Sequence, residues 1–129
     1  MSVGPLTHMA LAFVADGAVT QHRVAVQGAN DGEAKLPAAD DASGILGVFT
    51  ESRTDEQAAT VTMDGSIEFV EAGGACTRGL KARVLNTGTV ENVATNATPA
   101  EQTYLGQFME SATVGQLVRV LIRPGQITQ

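Results

Sequence analysis

Short runs that alternate apolar and polar residues dominate this chain. In His22–Gln27, Val24 and Val26 fall on one face and Arg23, Ala25 and Gln27 on the other, as in a half-buried strand. Ile45–Thr50, Thr60–Met63, Ser66–Val70, Leu80–Asn86, Thr89–Ala94, Tyr104–Met109 and Leu117–Ile122 are further predicted strands. Ile67 and Phe69 share one face of theirs. Turn residues separate the runs at Asp16-Gly17, Asn30-Asp31-Gly32, Asn86-Thr87-Gly88 and Pro124-Gly125, the last of which predicts the end of the final strand. Asp64-Gly65 predicts a hairpin between Thr60–Met63 and Ser66–Val70, with Gly65 at positive φ. No long segment carries helical periodicity, so the pattern predicts an all-β barrel or sandwich.

The pattern also repeats. Leu46-Gly47-Val48-Phe49-Thr50-Glu51-Ser52 returns as Leu105-Gly106-Gln107-Phe108-Met109-Glu110-Ser111, 59 residues later, with five identities in seven positions. Arg23-Val24 returns as Arg83-Val84, 60 residues later. Two echoes in nearly one register predict a doubled supersecondary unit. Leu46, Gly47, Phe49, Leu105, Gly106 and Phe108 are packing and turn residues, so the repeat reads as scaffold. Glycine at 47 and 106 predicts a close approach of a neighbouring strand or side chain.

Composition narrows the reading. The 129 residues hold 4% aromatics and no Trp, which predicts a core of small aliphatic side chains with a few Phe. Gly4-Pro5 precludes regular structure near the start. The predicted organisation is an N-terminal arm over residues 1–11 and a single β domain over residues 12–129. Met9–Ala15 is too short to span a bilayer and no basic stretch precedes it, so a soluble, unprocessed chain is expected. A net charge of −6 argues against nucleic-acid binding and against an anionic membrane surface.

Candidate chemistry is sparse. Cys76 is the only cysteine, so no intrachain disulfide forms, and it reads as a small buried hydrophobe rather than a nucleophile. His8 and His22 lack zinc-ligand spacing. Asp40-Asp41 and Asp31 with Glu33 lack the alternation of a calcium loop and read as solvated loop acids. Glu51 and Glu110 sit at matched repeat positions, where a carboxylate pair could do acid–base work. Their neighbours Ser52 and Ser111 favour hydrogen-bonded turns instead. Gly73-Gly74 matches no phosphate-binding pattern. Asn96-Ala97-Thr98 is a formal glycosylation acceptor with no secretory context. No metal, cofactor or catalytic site is expected.

The order of motifs nevertheless has a likeness. Arg23-Val24-Ala25-Val26, an acidic loop, Ile45-Leu46-Gly47-Val48, Ala59-Thr60-Val61-Thr62 and Asp64-Gly65-Ser66-Ile67 come first. Gly79 and Ala82-Arg83-Val84 follow, then Tyr104-Leu105-Gly106-Gln107-Phe108 and Leu117–Ile122. From about Phe13 to Ile122 the chain resembles the small capsid decoration, or cement, proteins of tailed bacteriophages. The resemblance implies a β-barrel or β-tulip body, usually a homotrimer, on the outer capsid surface of the virion after synthesis in the host cytoplasm. It implies that the partner is the major capsid protein, whose neighbouring subunits are clamped, and it implies no catalytic residues. Pro5, Leu6, His8, Met9 and Leu11 of the arm are the expected capsid contacts, by strand addition to an open sheet edge. The alternatives are a small ligand-binding β-barrel or a tail or baseplate component, and then an enzyme using Cys76 or the Glu51–Glu110 pair.

Overall fold

The structure, a computed structural model, describes residues 9–94 and 101–128. The described residues form ten strands, and the helical structure among them is one 3-10 turn at Asn86–Gly88. β1 (Ala10–Ala15), β2 (Val24–Gln27), β3 (Glu33–Lys35), β4 (Ile45–Phe49) and β5 (Ala58–Thr62) close into a barrel in the order β1-β3-β2-β4-β5. β6 (Ile67–Glu71), β7 (Lys81–Val84), β8 (Val90–Asn92), β9 (Glu101–Phe108) and β10 (Leu117–Thr128) form a second sheet in the order β6-β10-β9-β7-β8. The all-β barrel class expected from the pattern is the one observed.

The second sheet repeats the first strand for strand. β1 pairs antiparallel with β5 as β6 does with β10. β2 pairs with β4 and β3 as β7 does with β9 and β8. The parallel β1–β3 closure survives in the second copy as one bridge, Ala72 to Val90. Side chains repeat as well. Ser52 Oγ accepts from the Gln21 amide at 3.0 Å, and Ser111 Oγ from the Arg78 amide at 3.1 Å. Gln57 Oε1 accepts from Thr54 N at 3.0 Å, and Gln116 Oε1 from Thr113 N at 2.9 Å.

One of the two sequence echoes is out of register with this symmetry. Phe49 N donates to Arg23 O, and Phe108 N donates to Leu80 O, so the counterpart of Arg23 is Leu80. Arg83 lies opposite Tyr104 at a bulge, as Val26 lies opposite Ile45, so its counterpart is Val26. The Arg-Val match is three residues off; the Leu-Gly-x-Phe match is in register.

Both cores are small-residue cores, as the lack of aromatics requires. Ala15, Val19, Ala25, Ala34, Phe49, Ala59 and Val61 fill the first barrel. Their counterparts Ala72, Cys76, Ala82, Val90, Phe108, Val118 and Val120 lie in the second core. That core also contains Val24, Val26 and Val48, from the outer face of the first barrel. The wall of the first barrel thus covers the second sheet where β6 and β8 are joined by only a single bridge.

Two turn expectations need correction. Asp64-Gly65 does not form a hairpin: β5 has both edges occupied by β1 and β4, and β6 pairs with β10. Gly65 has the expected positive φ of 91°, but the turn links the two copies, its amide donating to Ile122 O at 2.8 Å. Nor does Pro124-Gly125 end the last strand. β10 continues to Thr128, and its register shifts between Ile122 and Gly125, so the missing proline N–H falls within an irregularity of the ladder. At the other end, Ala10 and Leu11, the last two residues of the expected arm, pair with Thr62 and Val61.

Candidate interaction surface

Cys76 is 3% exposed, in the place that Val19 holds in the first copy. Its Sγ lies 3.5 Å from Gly74 O and 3.7 Å from Val90 O. Burial, and then the charge of Glu91, pushes the thiol up to about 11, far from a thiolate at neutral pH. His22 is engaged elsewhere: its Nδ1 lies 3.3 Å from Phe69 O, and its ring meets Phe69 edge-on at 6.5 Å.

The matched carboxylates each serve their own copy. Glu51 holds Arg53 at 2.6 Å and accepts from Thr60 N at 3.2 Å. Glu110 holds the Arg119 guanidinium at 2.9 Å and accepts from Arg119 N at 3.2 Å. The Arg119 side chain, and next its amide, hold Glu110 below the usual carboxylate range. The carboxylates thus bond across to the next strand, and Ser52 and Ser111 accept from amides 31 and 33 residues away, where local turns were expected. Asp41 is not a solvated acid as expected. It forms a bidentate pair with Arg83 at 2.9 and 2.8 Å, and both side chains are 13% exposed. Glu91 binds the same guanidinium at 3.0 Å, and the hydrogen-bonded carboxylates, Asp41 first and then Glu91, raise the Arg83 pKa further. Asp40 caps the Asn86 amide at 2.7 Å. Glu33 accepts from Asn30 N at 3.0 Å. Among the described residues, no group of His, Cys, Asp or Glu is placed to hold a metal ion. No helix among them is long and apolar enough to cross a membrane.

The surface is more informative than the acids. On the first copy, β1 and β5 present Ala10, Ala12 and Val14 opposite Thr62, Thr60 and Ala58. On the second, β6 and β10 present Ile67, Phe69 and Glu71 opposite Leu121, Arg119 and Leu117. On the same frame Ala10, Ala12, Thr62 and Ala58 have become Ile67, Phe69, Leu121 and Leu117, while Val14 and Thr60 have become Glu71 and Arg119. Ile67 is 49% exposed, Phe69 42% and Leu117 44%. Met109, bonded through its amide to Arg119 O, extends the patch onto β9's end. Ile67, Phe69 and Leu117 thus stand exposed around the ion-paired Arg119, with Glu71 at the edge of the face. Its signal in the sequence is the Ile67/Phe69 alternation, which by itself reads equally well as core.

Of the expected capsid contacts, Pro5, Leu6 and His8 lie outside the described residues. Met9 and Leu11 are more than half exposed at the start of β1. Met9 is tethered to the turn between the two copies: its amide donates to Ser66 Oγ at 2.8 Å, and its carbonyl accepts from Met63 N at 2.8 Å. The Asn96-Ala97-Thr98 acceptor lies outside the described residues.

No protein-family model matches the chain, and no curated protein matches it either. Among solved structures, the head fiber gp8.5 N base of bacteriophage phi29 is similar. The TM-score is 0.64 at 20% identity, over 89% of this chain and 93% of that one. At that identity the likeness is one of fold. It spans both copies of the doubled unit, so the paired arrangement, and not one barrel alone, is what the two proteins share.

Proposed function

We propose that this chain is a structural protein of a tailed-phage head, acting as a decoration or cement protein. The observation that carries this reading is the fold shared with the phi29 head fiber base over nearly the whole of both chains. The exposed β6–β10 face supplies a surface for docking, and the acidic exterior keeps an abundant protein soluble until it docks. In this reading the protein has no catalytic step. It sits on the outer capsid surface of the virion as a homotrimer and clamps neighbouring subunits of the major capsid protein. Binding the expanded shell in preference to its precursor stabilises the expanded form by mass action. A trimer that engages several subunits gains from multivalency.

The test is the copy number of this chain relative to the major capsid protein in purified virions of its source. A number comparable to the shell protein supports decoration. A handful of copies supports a tail or portal role, and absence from virions overturns the reading. Removing residues 1–8 spares all of β1 and tests the arm: unchanged affinity for expanded heads would take the arm out of the mechanism.

A further inference from the structure

The repeat places the same face in two surroundings. Val24, Val26, Ile45 and Val48 form the outer face of β2 and β4, and the second core covers them. Their counterparts on β7 and β9 are Lys81, Arg83, Tyr104 and Gln107. Nothing among the described residues covers Lys81 and Gln107, which are exposed. A pocket of about 400 Å³ opens there, bordered by Leu80, Lys81, Tyr104, Gln107 and Arg123.

The chemistry of this pocket departs from the rest of the molecule. The chain has 14 acids to 8 Lys and Arg. Arg23, Arg53, Arg83 and Arg119 each hold a carboxylate. Lys81 and Arg123 line one pocket and form no salt bridge among the described residues. Lys35 and Arg78 are also unpaired in this sense, and Arg78 directly precedes Gly79 of the pocket wall. In an acidic protein, unpaired cations converging on one cavity leave a local positive field. Lys81 Nζ sits 5.0 Å from the Tyr104 ring centroid, which holds the ammonium over an aromatic surface. The ring is seated against Gly125, where any Cβ would collide with it. Leu80, 46% exposed, adds an aliphatic rim. Gln107 donates to Gly79 O at 3.2 Å, fixing that side of the wall.

We propose that this pocket binds an acidic, partly apolar peptide segment of a partner protein. Carboxylates of the segment meet Lys81 and Arg123, and an apolar side chain packs on Tyr104 and Leu80. Charge complementarity selects this occupant. Two cations on one pocket suit the carboxylates of a short segment, whereas the many phosphates of a nucleic acid need a wider basic surface than Lys81 and Arg123 supply. The inference stands apart from the head-protein reading, because it requires only a partner with an acidic segment.

The test uses a fluorescein-labelled peptide of sequence Glu-Phe-Glu-Leu-Glu and its Lys-Phe-Lys-Leu-Lys counterpart, titrated with the full chain by fluorescence anisotropy. Saturable binding of the acidic peptide alone is expected. It should weaken roughly ten-fold or more in the Lys81→Gln/Arg123→Gln variant, and fall with added salt. Both side chains are exposed, so the variant retains the fold, as an unchanged circular dichroism melt will show. Failure to saturate, equal binding of the basic peptide, or unchanged affinity of the variant overturns the proposal. Sedimentation of the protein alone covers the remaining occupant: self-association abolished by the same variant would assign the pocket to a second copy and overturn the partner reading.

Discussion

Gly47 and Gly106 stand at the same point of the two copies, and each is pressed against a backbone carbonyl. A Cβ at 47 would run into Thr62 O, and a Cβ at 106 into Leu121 O. Neither carbonyl can move without shifting its strand, β5 or β10. The duplicated Leu-Gly-x-Phe motif is therefore a packing requirement met twice: glycine lets the neighbouring strand close in, and Phe49 or Phe108 fills the core two residues on.

Gly47→Ala and Gly106→Ala are each expected to destabilise the fold by about 2 kcal/mol or more, because overpacking against backbone has no cheap relaxation. Urea denaturation checks this. A loss within a few tenths of a kcal/mol at both sites would mean that β5 and β10 yield easily.

The copies solve one backbone problem differently. Glu56 and Gly115 occupy equivalent turn positions with φ of 69° and 88°. Their amides make equivalent bonds, to Ala15 O and Ala72 O. Glutamate in this left-handed region is strained, whereas glycine is not. Glu56→Gly is thus expected to stabilise the protein by roughly 0.5–1 kcal/mol, net of the entropy that glycine adds to the unfolded chain. A lower melting temperature would refute this.

Cys76 takes the place of Val19 in the second core, which predicts that Cys76→Val folds with stability within about 1 kcal/mol of the parent. The thiol also ties stability to alkaline pH. Its folded pKa of about 11 is raised above the ordinary 9.0. The unfolded chain therefore ionises first. Stability from this group is complete below about pH 9 and is lost as pH rises toward 11. Unfolding titrations from pH 8 to 11 should show a steeper decline in the parent than in the Cys76→Val variant. Parallel curves would remove the thiol as the cause.

How much of this was legible beforehand depends on whether the determinant was local. Strand positions were readable from local signals, alternation in His22–Gln27 and a short apolar run in Ile45–Phe49. So was the doubling, because Gly47 and Gly106 are fixed by the same steric need. Pairing partners were not readable at Asp64-Gly65. The dipeptide specifies a turn, but the available edges of β1, β4 and β10 decide what flanking strands join. Arg83 misled for the opposite reason. Its match with Arg23 is a coincidence of composition, and its role is set by Asp41, 42 residues away in sequence. The β6–β10 face was hidden because an Ile-x-Phe alternation is the same whether it faces core or solvent.

That Arg83 pair makes a contrast with Arg119. Arg83 and Asp41 are each 13% exposed, and Asp41 also accepts from Thr103 N at 3.3 Å. Arg83→Met leaves Asp41 largely buried without its cation and is expected to cost about 2–4 kcal/mol. Arg83→Lys should recover only part of this, since an ammonium cannot reproduce the bidentate fork. Arg119→Met removes a solvent-exposed ion pair, its arginine 53% exposed, and should cost far less than Arg83→Met. Equal losses at the two sites, measured by chemical denaturation, would mean that burial does not govern the strength of these pairs.

The apolar face gives the sharpest separation of stability from function. Ile67 and Phe69 stand where the first copy has Ala10 and Ala12, so the strand frame does not need their bulk. Half of each side chain is in water, and Glu68 between them is held by Thr62 Oγ1 at 3.2 Å. Ile67→Thr with Phe69→Thr keeps β-branched residues on β6 and should change stability by no more than about 1–2 kcal/mol. If this face docks on a phage head, the same variant should bind expanded heads roughly ten-fold more weakly or worse, because the apolar area of Ile67 and Phe69 is no longer there to be withdrawn from water on binding. Co-sedimentation with heads lacking the protein measures this directly. A stable variant that binds as tightly as the parent would assign docking to another surface and leave the large residues of β6 without a role in it.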